Sequence, residues 1–600
     1  MNDRLRFAFL CILIAMVSQV FGVEFETRQE SLKKPNVLVI LTDDQGWGDL
    51  SIHGNLNLST PHIDSIARNG ASFDRFYVSP VCSPTRAEFL TGRYHGRSGV
   101  RNVSMGGERM NLDEITIANH FKSAGYRTSS FGKWHNGSQF PYHPTGRGFD
   151  DFYGYTSGHW GDYFSPPLEN NGLIVQGNGF LADDITDHTL SFLDQNRANP
   201  FFCYVTFNTP HSPMQVPDPY WNRFKDRELK SKYHGTEKED ENFTRAALAM
   251  VENIDDNIGR ILDKLKSLKI ENETIVVFFC DNGPNAFRFN GGMKGRKATT
   301  DEGGVRSPLF IRWPGSIPSG TSVKRISAAF DLLPTLTDLA GIKRLQGKPL
   351  DGVSFAKFLT GHSSEPDNRM IFSHWAGKVS VRTQTHRLDD QNRLFDMIKD
   401  PGQTSDISNN QPKLHAELKS AVKSWRIDAL EGIRLKDNRP FPIGYSQFPI
   451  THLPARDALF SGEVKRSALA PNCSFLTNWK ANSDTIYWPV QIETTGTYEL
   501  VFHHTIAAPN IGSRINLYFN DRLLISFKLD QVFDPPLRGM EHDRVPRNTE
   551  SLVKDFLALS VPNLKLTKGQ GFLKLQASDI KAGKSADLRG ISLILKSTDR

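Results

Sequence analysis

The chain has 600 residues, a length that calls for more than one hydrophobic core. It is 38% hydrophobic and 23% charged with a net charge of +6, a globular composition that gives no reason to expect a nucleic-acid partner. Its five cysteines are too few for a disulfide-rich scaffold.

Arg4 and Arg6 lead a mostly apolar run at 7–20, and Val20-Phe21-Gly22 offers a cleavage point. Residues 1–22 read as an export signal, so the expected location is secreted, or periplasmic if the source is bacterial. An uncleaved anchor is the alternative, although the run is short for a bilayer. Three continuous apolar runs follow, each ending in polar residues. Residues 36–41 lead into Asp43-Asp44, 201–207 into Asn208-Thr209-Pro210-His211, and 274–280 into Asp281-Asn282-Gly283. Such runs suit strands buried on both faces, and helical patterns such as 243–268 separate them. The pattern predicts an α/β sandwich with a largely parallel central sheet over 35–330, its polar residues gathered at the carboxyl ends of the strands.

From residue 331 the texture changes. Residues 331–341 predict a short helix, 394–396 a strand, Lys399-Asp400-Pro401-Gly402 a turn, and 412–425 a helix. Together they read as a smaller α+β subdomain over 331–426. Residues 427–458 are proline-rich and irregular, and read as a linker. Strands are predicted at 485–493, 497–504, 514–519, 523–529, 572–577 and 591–596, with Thr495-Gly496 and Asn520-Asp521 as hairpin turns. They define an appended C-terminal β-sandwich over 459–600, either a carbohydrate-binding module or a structural cap. Cys203 and Cys280 fall inside strand-like runs and read as buried thiols. Asn57, Asn102, Asn136, Asn242, Asn272 and Asn472 head glycosylation sequons, relevant only in a eukaryotic host.

Two acidic segments stand out chemically. Asp43, Asp44, Asp281 and Asn282 supply three carboxylates and an amide, the oxygen set a hard divalent cation needs. The absence of cysteine or paired histidine ligands in these segments favours Ca2+ or Mg2+ over zinc.

The run Cys82-Ser83-Pro84-Thr85-Arg86, followed by Leu90-Thr91-Gly92-Arg93, resembles the signature of the type I sulfatases, members of the alkaline-phosphatase-like superfamily. Thr85 replaces the usual serine and keeps the hydroxyl. Gly125-Tyr126-Arg127-Thr128 through Gly132-Lys133-Trp134-His135 resembles the second signature. Thr209-Pro210-His211-Ser212-Pro213 and Lys297 ahead of Glu302-Gly303-Gly304-Val305-Arg306 match further family segments; Lys294 competes with Lys297, and distance to the second landmark favours Lys297. The resemblance runs from about residue 35 to 425.

It implies that a separate formylglycine-generating enzyme oxidises Cys82 to formylglycine, whose hydrate is the nucleophile. Asp43, Asp44, Asp281 and Asn282 then hold the cation against position 82. Arg86 steadies the hydrate, Lys133 and Lys297 bind the sulfate oxygens, His211 protonates the leaving alcohol, and His135 takes a proton from the second hydroxyl. The expected activity is hydrolysis of a sulfate ester, with a sulfated glycan as the favoured substrate. A phosphonate or phosphate monoester hydrolase of the same superfamily is the alternative, and an inactive glycan-binding relative is a further one. Arg101 and Asn102 are candidates for one wall of the pocket. His159 and Trp160 are candidates for the other, where Trp160 is either a sugar platform or a loop residue packed into the core.

Overall fold

The computed structural model describes residues 34–361, 368–431, 437–547 and 549–598; the export signal expected at 1–22 lies outside them. Among the described residues, no helix is long and apolar enough to cross a membrane.

Five parallel strands form the centre of a ten-stranded mixed sheet. They are β1 (Asn36–Thr42), β2 (Arg127–Lys133), β3 (Asp151–Tyr155), β4 (Phe201–Thr206) and β5 (Thr274–Cys280), in the spatial order β5-β1-β4-β2-β3. The unbroken apolar run in β1 has a direct cause. Val37, Val39 and Leu41 join one core cluster with Phe89 and Leu90 of helix α1 (Cys82–Thr91). Leu38 and Ile40 join the opposite cluster with Ile254, Ile258 and Ile261 of helix α2 (Glu241–Ser267). Both faces are covered, so both sets of alternating side chains are apolar. Because the central strands run in parallel, the residues that follow β1 and β5 emerge at the same edge as Lys133, the last residue of β2.

The second subdomain is a four-stranded antiparallel sheet, Ile371–Trp375, Lys378–Arg382, His386–Leu388 and Leu394–Asp396, whose apolar side meets Leu418 of the helix Pro412–Leu430. Its expected start at 331 is too early. Leu332, Leu333, Leu336, Phe355 and Leu359 are buried in the first core cluster with the α/β domain.

The C-terminal region forms two six-stranded sheets around one core that includes Trp488, Leu500, Phe502 and Leu573. Three expectations are corrected here. Within the expected linker, Phe441–Ile443 pairs with Thr485–Ile492 and Ile450–Pro454 with Asp587–Thr598, so these two segments belong to the sandwich. Thr495-Gly496 is not a hairpin turn, because Thr485–Ile492 and Gly496–Thr505 enter different sheets and the chain crosses between layers there. The strand Leu557–Leu566 was absent from the sequence reading; exposed residues interrupt its apolar alternation. The Asn520-Asp521 hairpin is present, with Asn520 in the left-handed region (φ 54).

Candidate active site

Asp43 and Asp44 follow β1, Asp281 and Asn282 follow β5, and all four are buried. Asp44 takes φ 63, an unfavourable backbone angle for a residue with a side chain, of the kind that collects at functional sites. Its N–H donates to Asp281 Oδ1 (3.1 Å), and Asn282 Nδ2 donates to Asp44 Oδ1 (2.8 Å), locking the two segments together. Cys82 is the first residue of α1, 97% buried by its 3% exposure, with Sγ 3.9 Å from Asp44 Oδ1. Burial, and then the charge of Asp43, raise its thiol well above the ordinary range. An unmodified Cys82 is therefore a protonated, unreactive thiol.

Each predicted cation has a carboxylate partner. Arg86, one turn along α1, binds Asp281 Oδ2 (2.9 Å) and donates to the Lys133 carbonyl (2.8 Å). Lys133 is bonded to Asp43. Lys297 Nζ reaches Asp44 Oδ1 at 2.7 Å, whereas Lys294 turns to Asp301 at 3.4 Å. Burial opposes the charge on Lys297, but Asp44 and other neighbours hold it well above the usual lysine range.

The two histidines differ in their free nitrogens. His135 Nε2 donates to the Val103 carbonyl (2.7 Å), leaving Nδ1 as a buried lone pair with no hydrogen-bond partner. Burial and the nearby Lys133 hold the ring well below its usual pKa, so it is a neutral base. Arg101 and Asn102 precede Val103 in the same loop, with both backbone N–H groups donating to the Gly107 carbonyl. His211 Nδ1 pairs with the Ser212 carbonyl (2.6 Å) and its Nε2 lies 3.5 Å from Asp44 Oδ2. Burial, partly offset by Asp44, brings His211 down to about 4. His211 and Lys297 are the site's outlets, with side chains 12% and 21% exposed where the others are sealed.

Asp43 and Asp44 of the expected oxygen set, with two further groups, are arranged as a metal would need, while Asp281 accepts from the Asp44 N–H and from Arg86. Asp43, Asp44, Cys82 and His211 bring ligand atoms within 4.8 Å of one another. Asp43 Oδ1 and Asn282 Oδ1 are buried acceptors with no hydrogen-bond partner. Burial and the charge of Asp43 push Asp281 up to about 7, a crowding of carboxylates that a cation relieves.

His159 and Trp160 are placed differently from expectation. His159 is 4% exposed and stacks on His211, with ring centroids 5.5 Å apart. Asn472 Nδ2 donates to its Nδ1 (3.3 Å), and its Nε2 faces Cys473 Sγ (3.4 Å). Both ring nitrogens are thus occupied by the sandwich, and none is left for a sugar hydroxyl. Gly158 permits this approach, since a Cβ there would lie 2.6 Å from both Asn472 Nδ2 and His135 Nε2. Trp160 is the packed loop residue of the two alternatives: it stacks on Tyr155 (5.4 Å), and Arg589 lies 5.8 Å from its ring.

Sequence reasoning missed four supports. Asp49 binds Arg288 (2.6 Å), which donates to the Asp44 carbonyl (3.0 Å), so the last acid of the Asp43–Asp49 segment is a brace. Glu302 joins Arg387 (2.9 Å) and Arg382 (3.3 Å) of the second subdomain, fixing the loop that carries Lys297. Asn472 and Glu550, which bonds Ser212, come from the sandwich, and no local pattern pointed to them. Among the sequon residues, Asn57 and Asn136 are buried with their amides donating to Ser231 O and Ser83 O, while Asn102, Asn242 and Asn272 are exposed.

A nucleophile position at a helix start, a crowded carboxylate set and two lysines facing it define a site for an anionic ester. The model of the sulfatase family matches residues 35–342, and that of the N-sulphoglucosamine sulphohydrolase C-terminal region matches 296–428. The chain belongs to the sulfatase family. It is 32% identical to N-acetylgalactosamine-6-sulfatase of Mus musculus over 53% of this chain and 65% of that protein, just under two thirds of the relative's length. To the enzyme of the same name from Sus scrofa it is also 32% identical, over 58% of this chain and 70% of the relative. The crystal structure of Ps i-CgsB in complex with k-i-k-neocarrahexaose superposes with a TM-score of 0.61 at 28% identity, covering 67% of this chain and 95% of that one.

Proposed function

We propose that this protein is a sulfuric ester hydrolase acting on a sulfated carbohydrate. The observation that carries the reading is the convergence of Asp43, Asp44, Asp281 and Asn282 on Cys82, with Lys133 and Lys297 completing the anion site. A divalent cation, Ca2+ or Mg2+, held by the acidic set would offset its charge and polarise an ester oxygen. Oxidation of Cys82 to formylglycine by a formylglycine-generating enzyme would supply the hydroxyl nucleophile that the protonated thiol does not.

The chain's own residues do the rest. Lys133 and Lys297 neutralise and orient the ester's anionic oxygens, which otherwise repel a nucleophile. Arg86 anchors Asp281 and the carboxyl end of β2 around α1. His211 stands at the outlet, where the leaving alcohol departs. Its Nδ1–H donates to the Ser212 carbonyl, so Nε2 is the nitrogen open to the alcohol and must itself take up a proton before passing one on. His135 Nδ1, the unpartnered lone pair, accepts the proton that resets the site.

The carbohydrate substrate is supported by the names of the relatives, N-acetylgalactosamine-6-sulfatase, and by the oligosaccharide in the Ps i-CgsB complex. The basic and apolar start of the sequence supports export to the cell exterior or periplasm. A sulfate-release screen over sulfated mono-, oligo- and polysaccharides, run beside matched phosphate esters, tests the reading. Faster turnover of the phosphate esters transfers the protein to the alternative class. The mass of the peptide containing position 82 tests the modification separately.

A further inference from the structure

The sandwich leaves a cavity of about 370 Å3 against the α/β domain, lined by Trp160 and Glu169 on one side and by His452, Arg456, His503 and Arg589 on the other. A smaller cavity shares Trp160, Arg456 and Arg589 and reaches Asn472 and Cys473. Neither includes Cys82, the acidic cluster, Lys297 or His211.

The charges around this space do not balance. Glu169 is paired with His143 at 2.6 Å. His452 and His503 both contact Ser592 Oγ, at 2.7 and 3.0 Å, and His503 is held neutral: burial, with Arg589 and His452 beside it, takes it down to about 3. Arg456 bonds Ser138 Oγ (2.5 Å) and the Asn472 carbonyl (3.3 Å), with Asp457 3.6 Å away. Arg589 has no hydrogen bond or ion pair among the described residues; its contact is the Trp160 ring. Asp555 favours its charge only through space, because that carboxylate is bound by Arg538 at 3.2 Å. Burial, reinforced by Arg538, pulls Arg589 down to about 10. The Arg589 side chain is part-buried, and its guanidinium presents five N–H donors that no acceptor among the described residues occupies, so an anion entering the cavity meets an open fork.

We propose that this interdomain cavity is a second ligand site, in which Arg589 and Arg456 bind the carboxylate or sulfate group of a saccharide unit. The guanidinium fork matches the paired oxygens of either anion. The volume lies at the lower end of the range for small-molecule pockets, which limits the occupant to a small saccharide. The inference rests on the cavity's charge and stands whether or not the protein hydrolyses sulfate esters.

Titration calorimetry on the full chain tests it, with inorganic sulfate, glucuronate, a sulfated monosaccharide and uncharged glucose as probes. The sulfated sugar is titrated into the Cys82→Ala variant to prevent turnover. The expected result is a binding event with the anionic probes that Arg589→Gln weakens by about tenfold or more, that Lys297→Ala leaves in place, and that glucose does not reproduce. Arg589→Gln should retain small aryl sulfate turnover within about twofold. If that variant does not fold, protection of Arg589 in the wild-type protein from an arginine-specific reagent, read by peptide mass, replaces it; sulfate and glucuronate should protect. Unchanged anion affinity in Arg589→Gln, loss of all anion binding in Lys297→Ala, or no protection overturns the proposal. A distinction between glucuronate and the sulfated sugar assigns the anion.

Discussion

At the carboxyl edge of the central sheet, Arg86, Lys133 and Lys297 each bond a carboxylate delivered by a different segment. Beneath the sandwich, Arg589 occupies a cavity with no acidic partner among the described residues. The first region holds negative charge packed closely enough to push Asp281 up to about 7; the second holds the part-buried charge of Arg589 beside the Trp160 ring and His503, which is held at about 3. The sign of the imbalance differs between the two, negative at the sheet edge and positive beneath the sandwich. The two are joined through Arg456, the Asn472 loop and His159, which stacks on His211.

The largest effects come from breaking the charged edge itself. Cys82→Ala should fold, as judged by an unchanged circular dichroism spectrum, and lose sulfate-ester turnover by roughly a thousandfold or more. Asp281→Ala should lose turnover comparably and also destabilise the protein by about 3–5 kcal/mol, since it leaves Arg86 buried without its partner. Normal turnover in Cys82→Ala, or in exhaustively chelated protein, contradicts the assignment.

Removing the sandwich comes next. Gln139 donates to the His452 carbonyl (2.9 Å), Gln215 to the Gly539 carbonyl (2.6 Å), and buried Arg109 to the Pro440 carbonyl (3.0 Å). A protein ending at about residue 458 keeps Ile450–Pro454 without the strand it pairs with and uncovers His159. The expected outcome is loss of soluble, monodisperse protein. A well-behaved truncated form with full turnover of a small aryl sulfate would mean the sandwich is a separable module.

A smaller effect separates the histidines. His211→Ala should cost roughly a hundredfold or more on sugar sulfates and under about tenfold on activated aryl sulfates, which need little protonation of the leaving group. His135→Ala should slow both substrates alike. Equal losses across substrates for His211→Ala reverse that assignment.

The smallest effect concerns the support of Lys297. Burial raises Glu302, but Arg382, Arg387 and Arg306 overcome it and hold the carboxyl at about 2 against its ordinary 4.5. A depressed folded-state pKa gives stability that is fully present above pH 4.5 and lost as pH falls toward 2. Denaturant melts should therefore show wild type more stable than Glu302→Gln at pH 7, with the gap narrowing between pH 4.5 and 2. A gap that does not change with pH means the ion pairs contribute nothing net.

Much of the charged edge was legible before any coordinates, because parallel strands buried on both faces leave their polar residues one exit. The runs ahead of Asp43, His211 and Asp281 fixed which side chains meet, and the resemblance of the Cys82 and Lys133 segments supplied roles. Glu302 was legible as a motif member, but neither it nor Asp49 was legible as a brace, since nothing local shows which arginine each will meet.

The sequence by itself determined the strand pattern of the α/β domain, that polar residues follow its central strands, and the existence of a β-rich C-terminal region. Those features follow from periodicity and from short motifs whose residues act within a few positions of one another. Tertiary structure decided that residues 441–443 and 450–454 are strands rather than linker, that Thr495-Gly496 crosses between sheets, and that His159 is held by Asn472 and Cys473. It also placed Trp160 in the wall of the cavity beside Arg589, apart from Cys82 and Lys297. The His159 and Trp160 contacts join residues more than three hundred positions apart, and a histidine or tryptophan in a loop carries no local mark of the domain that will close over it.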